Sequence, residues 1–357
     1  MLAELAVILI ILATVIFIYL KGTLVKSFVI LINAVIGLTV AMTFFETLAR
    51  FVIGYGFGGE WVLGGVFLLA FIFAFGILNV IGKQLVPADI YFGDFVDRAA
   101  RALIGGCAGF VIAGVILTAA AMMPLGGWPY ERFGLENEVK RPSHPDKMLI
   151  LNADGFVVNF ASWLSKGSMS GEKSLAVFHP DFLNEIYLNR IRKDYDNNLS
   201  MAGANAIQVK GAWLAESELV SALDNQPINT AANTNQYIIR AGIEGRKIKD
   251  GGALTENGRL TFTLAQVRLV CKDKDSADNL KGSGQTIYPA GFIKSANIVE
   301  QKGLTEEIFS SAKLYDFVFN VPADTTPVIL EFKQNVAVSV SRILSGENIP
   351  QPLTSPE

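Results

Sequence analysis

The 357-residue sequence predicts an integral membrane protein: four transmembrane helices followed by an α+β extracytoplasmic domain, with a mainly antiparallel β-sandwich or small barrel. Three observations predict it. Residues 1–125 carry six Lys/Arg and six Asp/Glu, whereas 126–357 carry 24 and 27, so charge is scarce in the first part and ordinary in the second. Four charge-free apolar runs fall in the first part, and period-two alternation dominates after residue 236. The mean hydropathy of +0.39 and the net charge of −3 therefore average two different solvents. That balance argues against nucleic acid as a partner, because phosphate binding needs a basic face. Two cysteines and two histidines leave little for a metal cage or disulfide framework, and no cofactor is expected.

The runs are 5–20, 27–45, 61–82 and 102–125. A helix rises about 1.5 Å per residue, so about 20 residues cross a hydrocarbon core about 30 Å thick. Inside lipid every backbone polar group must be bonded within the segment, which selects helices. Run one reaches the length once Met1 to Glu4 are counted into the interface. It does not read as a cleaved signal: Glu4 stands where a basic region would, and Tyr19-Leu20-Lys21 offers no small-x-small site. Loops one and three hold Lys21, Lys26, Lys83, Arg98 and Arg101, against Arg50 alone in the middle loop. Five against one puts those loops in the cytoplasm and both termini outside it.

Asp97 falls in the first turn of the fourth helix, where a carboxylate complements the helix dipole. Lys21 reads as an interfacial anchor, and Arg98 or Arg101 as a side chain snorkelling to headgroups. Gly105, Gly109 and Ala113 recur at four-residue steps and share a face. Small residues let backbones approach closely in lipid. Packing within the bundle is the first reading, a homo-oligomer through helix four the second, and a pore-lining face the third. Asn33 and Asn79 are the most polar residues in the spans, each suited to a hydrogen bond with a neighbouring helix. No ionisable residue lies at mid-depth, so no proton relay or voltage sensor is expected. Gly54 to Gly59 satisfies GxGxxG, but without a preceding strand it is a glycine turn.

Four helices, Lys21-Gly22 directly after the first, and Asp97-Arg98 before Gly105, Gly109 and Ala113-Gly114 resemble the colicin V production protein (CvpA) family. The resemblance covers about residues 5–125. Arg101 stands at the first small-residue step, where the family has a glycine, and Lys26 is followed by Ser27, not by the usual acid. The resemblance implies a multispanning bacterial inner-membrane protein linked to toxin production or export and to envelope homeostasis. It implies no catalytic residues.

Beyond 125 the expected organisation is a linker over 126–153, a helical and loop-rich segment over 154–235, a β-rich domain over 236–345 and a disordered tail over 346–357. Trp128 suits a membrane interface. Phe156, Phe160, Trp163 and Leu164 make one apolar helix face, and Phe182, Ile186 and Ile191 another, with Pro180 in a first-turn position. Residues 195–235 read as loop with short ordered pieces. Strand signals follow at Tyr237-Ile238-Ile239, at Leu260, Phe262 and Leu264, and at Val267, Leu269 and Cys271, the phase shifting at Ala265-Gln266 as at a bulge. Further strands are expected over 287–299, 315–321, 328–332 and 336–340.

Candidates for chemistry are few. His144 and His179 are the only imidazoles, and His179-Pro180-Asp181 with Ser168 or Ser170 lacks the geometry that defines a triad. Cys107 and Cys271 lie in different solvents and do not pair, and Lys272 to Asp275 reads as a solvated turn. Asn198-Leu199-Ser200 matches a glycosylation sequon. The expected function is therefore non-enzymatic: an inner-membrane protein in contact with the bilayer and with envelope or export proteins. The alternatives are an oligomeric channel or transporter component, and a tethered sensor or enzyme acting through 145–345.

Overall fold

The computed structural model describes residues 2–55, 59, 61–85, 93–125, 151–167, 171–190, 202, 206–228, 232–244, 259–301, 305–308, 313–333, 336–340, 343–351 and 353. They divide into two compact units, the first made of Met1–Val52 and Trp61–Trp163 with nearly all of the four long helices, the second of Ile53–Glu60 and Leu164–Glu357. Residues 126–150 of the expected linker, His144, Ser168, Ser170, Ile191 and the sequon lie outside the described residues, as does half of the Gly54–Gly59 turn.

In the first unit, α1 (Leu2–Lys21), α2 (Leu24–Gly54), α3 (Val62–Leu85) and α4 (Asp94–Ala121) are each long and apolar enough to cross a membrane. All four extend past their charge-free runs. In α2 the extension carries Glu46 and Arg50, an i,i+4 pair with 3.9 Å between charged atoms. Of its most apolar window, α4 buries 56%, against 17% for α1 and α3, so α4 is the central helix. Leu9, Phe17, Leu69 and Phe73 are more than half exposed, an apolar surface that suits acyl chains and not water.

The helices meet through small residues and one polar bridge. A Cβ on Gly64 of α3 would lie 2.5 Å from the Ala119 carbonyl of α4, and one on Gly37 of α2 would lie 3.3 Å from the Phe71 ring of α3. Asn33 Nδ2 donates to Asn79 Oδ1 at 3.2 Å between α2 and α3, and Asn79 Nδ2 donates to the Phe75 carbonyl at 2.7 Å. The two amides thus satisfy each other, as expected for polar groups in hydrocarbon.

A fifth helix, α5 (Ala153–Lys166), closes the unit. Its aromatic residues form an apolar face, but that is not the face it buries. Ala153, Val157, Val158 and Ala161 are buried, while Phe156 and Trp163 are 45% and 67% exposed. Ala153 packs with Ala3 and Val7 of α1 and with Ala113 and Leu117 of α4. The small side chains win because the neighbouring backbone leaves no room for rings.

The second unit is sheet-rich. Two short helices, α6 (Leu175–Phe178) and α7 (Phe182–Arg190), precede the strands, and Pro180 sits two residues ahead of α7. In chain order the strands are β1 (Ile207–Leu214), β2 (Val220–Ser221), β3 (Thr234–Ile243), β4 (Arg259–Phe262), β5 (Val267–Asp273), β6 (Gln285–Ile287) and β7 (Gly291–Ser295). β8 (Ile298–Glu300), β9 (Thr305–Ile308), β10 (Lys313–Pro322), β11 (Thr325–Phe332), β12 (Val336–Ser339) and β13 (Ile343–Leu344) complete the set. They form a seven-stranded sheet, β13-β1-β3-β10-β7-β8-β2, a four-stranded sheet, β12-β11-β5-β6, and a ribbon, β4-β9. Pairing is antiparallel except for β1 with β13 and β2 with β8.

Three details of the expected strand pattern change. No closed barrel forms among the described residues, because β13 and β2 stand at opposite edges of the large sheet instead of pairing. The phase shift at Ala265-Gln266 is a 3-10 turn over Leu264–Gln266, closed by a Thr263/Gln266 capping box, and it moves the chain from the ribbon to the four-stranded sheet. The stretch 287–299 breaks into β6, β7 and β8, the last two turning at Ala296, whose φ is +44°. The segment read as loop also contributes β1 and β2. Ile207 and Val209 do alternate, but a register shift before Gly211 interrupts the pattern.

A core cluster draws residues from both larger sheets, among them Ile239, Tyr315 and Phe317 with Leu269, Leu330 and Phe332. Phe262 meets Tyr315, Phe317 and Phe332 edge-on, at centroid distances of 5.6, 6.4 and 5.5 Å, the geometry the ring quadrupole favours. The opposite face of the seven-stranded sheet carries Trp213, Ile238, Ile293 and Val318, with Leu344 and Ile349 packed on them. The chain therefore stays in contact with the sheet beyond β13.

Candidate functional site

Two groups of residues stand out, one in each unit. The first lies where α1 ends and α4 begins. Gly93 caps α4 at φ +100°, a conformation that excludes most side chains. The first turn then presents Asp94 and Asp97 to the positive end of the dipole. Asp97 is 5% exposed, and its Oδ2 lies 2.8 Å from Arg101 one turn on, while Oδ1 has no hydrogen-bond partner. Held there, Arg101 donates to the Gly22 carbonyl at 2.8 Å and to the Tyr19 carbonyl at 3.2 Å, with its guanidinium 5.8 Å from the Tyr19 ring centroid.

The last carbonyls of a helix have no partner within it and carry partial negative charge. Arg101 therefore closes the end of α1 and does not snorkel to headgroups. Gly22 allows the close turn: a Cβ there would lie 2.6 Å from the Ile18 carbonyl oxygen. The structure thus brings Gly22 and Asp97 together through Arg101, the residue occupying a step where a glycine is usual. Lys21 and Arg98 are exposed, Arg98 beside an open hollow shared with Tyr19, Asp94 and Phe95.

The small-residue ladder continues the same seam. A Cβ on Gly105 would stand 3.3 Å from Val15 Cα, and one on Gly109 only 2.8 Å from Ile11 Cα. α1 thus lies antiparallel along α4 with backbones nearly touching. Gly114 faces another neighbour: its Cβ would overlap the Ala153 carbonyl of α5 and lie 2.7 Å from Val157 Cγ1. The four-residue steps Gly105, Gly109 and Ala113 all pack against α1, while Gly114 beside them meets α5. Cys107 is exposed on α4.

The second group is a buried ionic cluster in the sheet unit. Register sets Arg268 of β5 directly opposite Glu331 of β11, and Arg268 Nη2 is hydrogen-bonded to Glu331 Oε2. The same guanidinium reaches Glu185 Oε1 of α7 at 3.2 Å, the Phe178 carbonyl at 2.6 Å and Thr286 Oγ1 at 3.3 Å. His179 Nδ1 lies 2.7 Å from Glu185 Oε2 and 2.9 Å from Arg268 Nη2. A carboxylate accepts only and a guanidinium donates only, so Nδ1 serves one of these two partners at a time, as the ring tautomer dictates. The Asp181 backbone N–H closes the ring on Glu185 Oε1 at 3.1 Å.

Burial raises the Glu185 pKa, but Arg268 and then His179 outweigh it and hold the carboxyl below its ordinary value. Burial lowers the Arg268 pKa, but Glu185 and Glu331 outweigh it and hold the guanidinium charged. Burial, Glu185 and the other carboxylates together push the Tyr288 phenol well above its ordinary value, and its hydroxyl has no hydrogen-bond partner. The Cys271 thiol, facing the core, is pushed up to about 12 by burial, which leaves it inert.

Sequence reasoning read His179 as a helix-entry residue; it is instead the C-cap of α6, three residues ahead of α7. It missed Glu185, Arg268 and Glu331. The signal was a lone charge inside an apolar strand, Val267-Arg268-Leu269 and Leu330-Glu331-Phe332. A second such pair, Arg240 and Asp316 of β3 and β10, is likewise in register and doubly bonded at 2.7 Å. Lys272, read as part of a solvated turn, is buried instead, donating to the Ser276 and Asn279 carbonyls at 2.5 and 2.6 Å. Among the described residues no three His, Cys, Asp or Glu side chains converge as metal ligands. The chain matches no family model, no curated protein and no solved structure.

Proposed function

We propose that the chain is a non-enzymatic, multi-pass protein of the bacterial inner membrane, of the colicin V production type. In this reading it anchors an extracytoplasmic interaction domain that serves export or envelope homeostasis, with both termini outside the cytoplasm. One observation carries the reading: Arg101 ties Gly22 to Asp97, so the two short motifs behind the resemblance form one helix-end clamp. That is a scaffold feature, since every atom it engages belongs to the fold.

The ladder supports the same choice over a channel or a homo-oligomer through that face. Gly105, Gly109 and Ala113 are already covered by α1, so that stripe is not free to line a path or receive a second copy. The core shared by the two larger sheets supports a sandwich as the architecture of the outer domain.

Flux measurements and complementation test the proposal together. Purified chain in liposomes is expected to pass no ions, and cells lacking the protein to regain envelope integrity only with a clamp-competent copy. Sustained conductance, or full rescue by the Arg101→Ala/Asp97→Ala double variant, overturns it. Reporter fusions after residues 90 and 150 are expected to give cytoplasmic and outside signals respectively; the reverse pattern overturns the orientation.

A further inference from the structure

Among the described residues the aromatic stripe of α5 has no partner that explains it. Phe156, Phe160 and Trp163 recur at helical spacing, and Phe156 and Trp163 are 45% and 67% exposed. Their rings form one continuous row, with centroids 6.1 and 5.9 Å apart. The row begins on α4, where the Phe110 ring lies 5.3 Å from that of Phe156. In water such a stripe costs free energy and invites aggregation.

Its depth says what covers it. Phe110 precedes the end of α4 at Ala121 by 11 residues, about 16 Å along the axis at about 1.5 Å per residue. That is as much as half of a hydrocarbon core about 30 Å thick. Gly114, where the backbones of α4 and α5 touch, is also well inside the span. The start of α5 is therefore beside the spanning part of α4 and not beyond its end.

The surface of α5 divides accordingly into three strips. Ala153, Val157, Val158 and Ala161 face protein; Phe156, Phe160 and Trp163 form the aromatic strip; exposed Asn159 and Lys166 lie on the flank beyond it. Lys166 ends the helix, where its stem reaches outward as its charge seeks headgroups. Trp is the residue that concentrates where acyl chains give way to headgroups.

We propose that α5 is a membrane-embedded amphipathic helix whose Phe156-Phe160-Trp163 stripe is covered by the acyl chains beside the spanning part of α4. The inference depends on α1–α4 crossing a bilayer and is independent of what the outer domain binds. It makes the first unit a five-helix membrane body in which only the first four helices span.

Spin labels on full-length chain in liposomes test it, in a Cys107→Ala background that leaves the inert Cys271 in place. Labels at Trp163→Cys, at Leu69→Cys on the exposed face of α3, and at Leu223→Cys in the sheet unit are compared for access to oxygen and to a water-soluble nickel chelate. The expected result is a Trp163 position that matches Leu69, high for oxygen and low for nickel. A Trp163 position matching Leu223, or one closed to both reagents, overturns the proposal while Leu69 still reports lipid. Nickel access at Leu69 overturns the spanning reading along with it. Brominated-lipid quenching supplies a cysteine-free check: Trp163→Phe is expected to lose part of the quenched emission, and unchanged quenching overturns the proposal.

Discussion

The two units are held together by opposite means. Between α1 and α4 the contacts are backbone on backbone, with a Cβ at Gly109 limited to 2.8 Å from Ile11 Cα. In the core between the two larger sheets the contacts are large rings, Phe262 of the ribbon against Tyr315, Phe317 and Phe332. Lipid tails are as apolar as any side chain, so burying a large ring between membrane helices gains little, and close approach is what remains. In water the same ring brings its full hydrophobic free energy. Charge is treated differently too. Arg101 and Asp97 sit at a helix end with side chains 18% and 7% exposed. Arg268, Glu185 and Glu331 are buried at 5% or less and paired with one another.

The largest expected effect lies in the buried cluster. Arg268→Met leaves Glu185 and Glu331 facing each other uncompensated, and should cost about 3–5 kcal/mol, the usual loss on removing one partner of a buried ion pair. Chemical unfolding of the full chain in detergent reads it. The same cluster has a pH signature. Glu185 titrates below its ordinary 4.5 in the fold, so the stability it contributes is complete above about pH 4.5 and is lost as pH falls through the lower folded value. Stability between pH 3 and 7 should fall on acidification in the wild type and less steeply in Glu185→Gln. Equal slopes would mean that Glu185 is not the group responsible.

In the membrane unit, Gly109→Leu drives a side chain into the α1 backbone. Overpacking of this kind costs about 1–3 kcal/mol, occasionally more, and the loss should show as a lower midpoint in a denaturing-detergent titration. Gly65→Leu, on a helix face where a Cβ meets nothing within 4 Å, should be neutral in the same assay. If both are neutral, small-residue contact is not what holds the unit. The smallest effect belongs to Asn33→Leu, which breaks the bridge to Asn79 and should cost only about 0.6 kcal/mol, the mean for such bonds in membranes. A loss several times larger would mean that the membrane unit relies on polar bonding as the sheet unit does.

The sequence by itself determined the two solvents, the four long helices and the longest strands, because burial in lipid or in a sheet imposes a period on each segment separately. Runs of apolar residues give α1 to α4, alternation gives β10, and short apolar runs give β3 and β11. β1 escaped that reading because the shift before Gly211 breaks its period. The sequence also supplied Gly22, Asp97 and the ladder, but not their relations. That Arg101 closes the end of α1, that Gly114 belongs to α5 and not α1, and that α5 buries its small face and leaves its rings outside were decided by tertiary packing. So was the pairing of Arg268 with Glu331, which depends on β5 and β11 becoming neighbours in one register across 63 residues of chain. Periodicity is local and readable along the chain. Charge pairing and backbone contact depend on which segments become neighbours, and only the folded chain sets that.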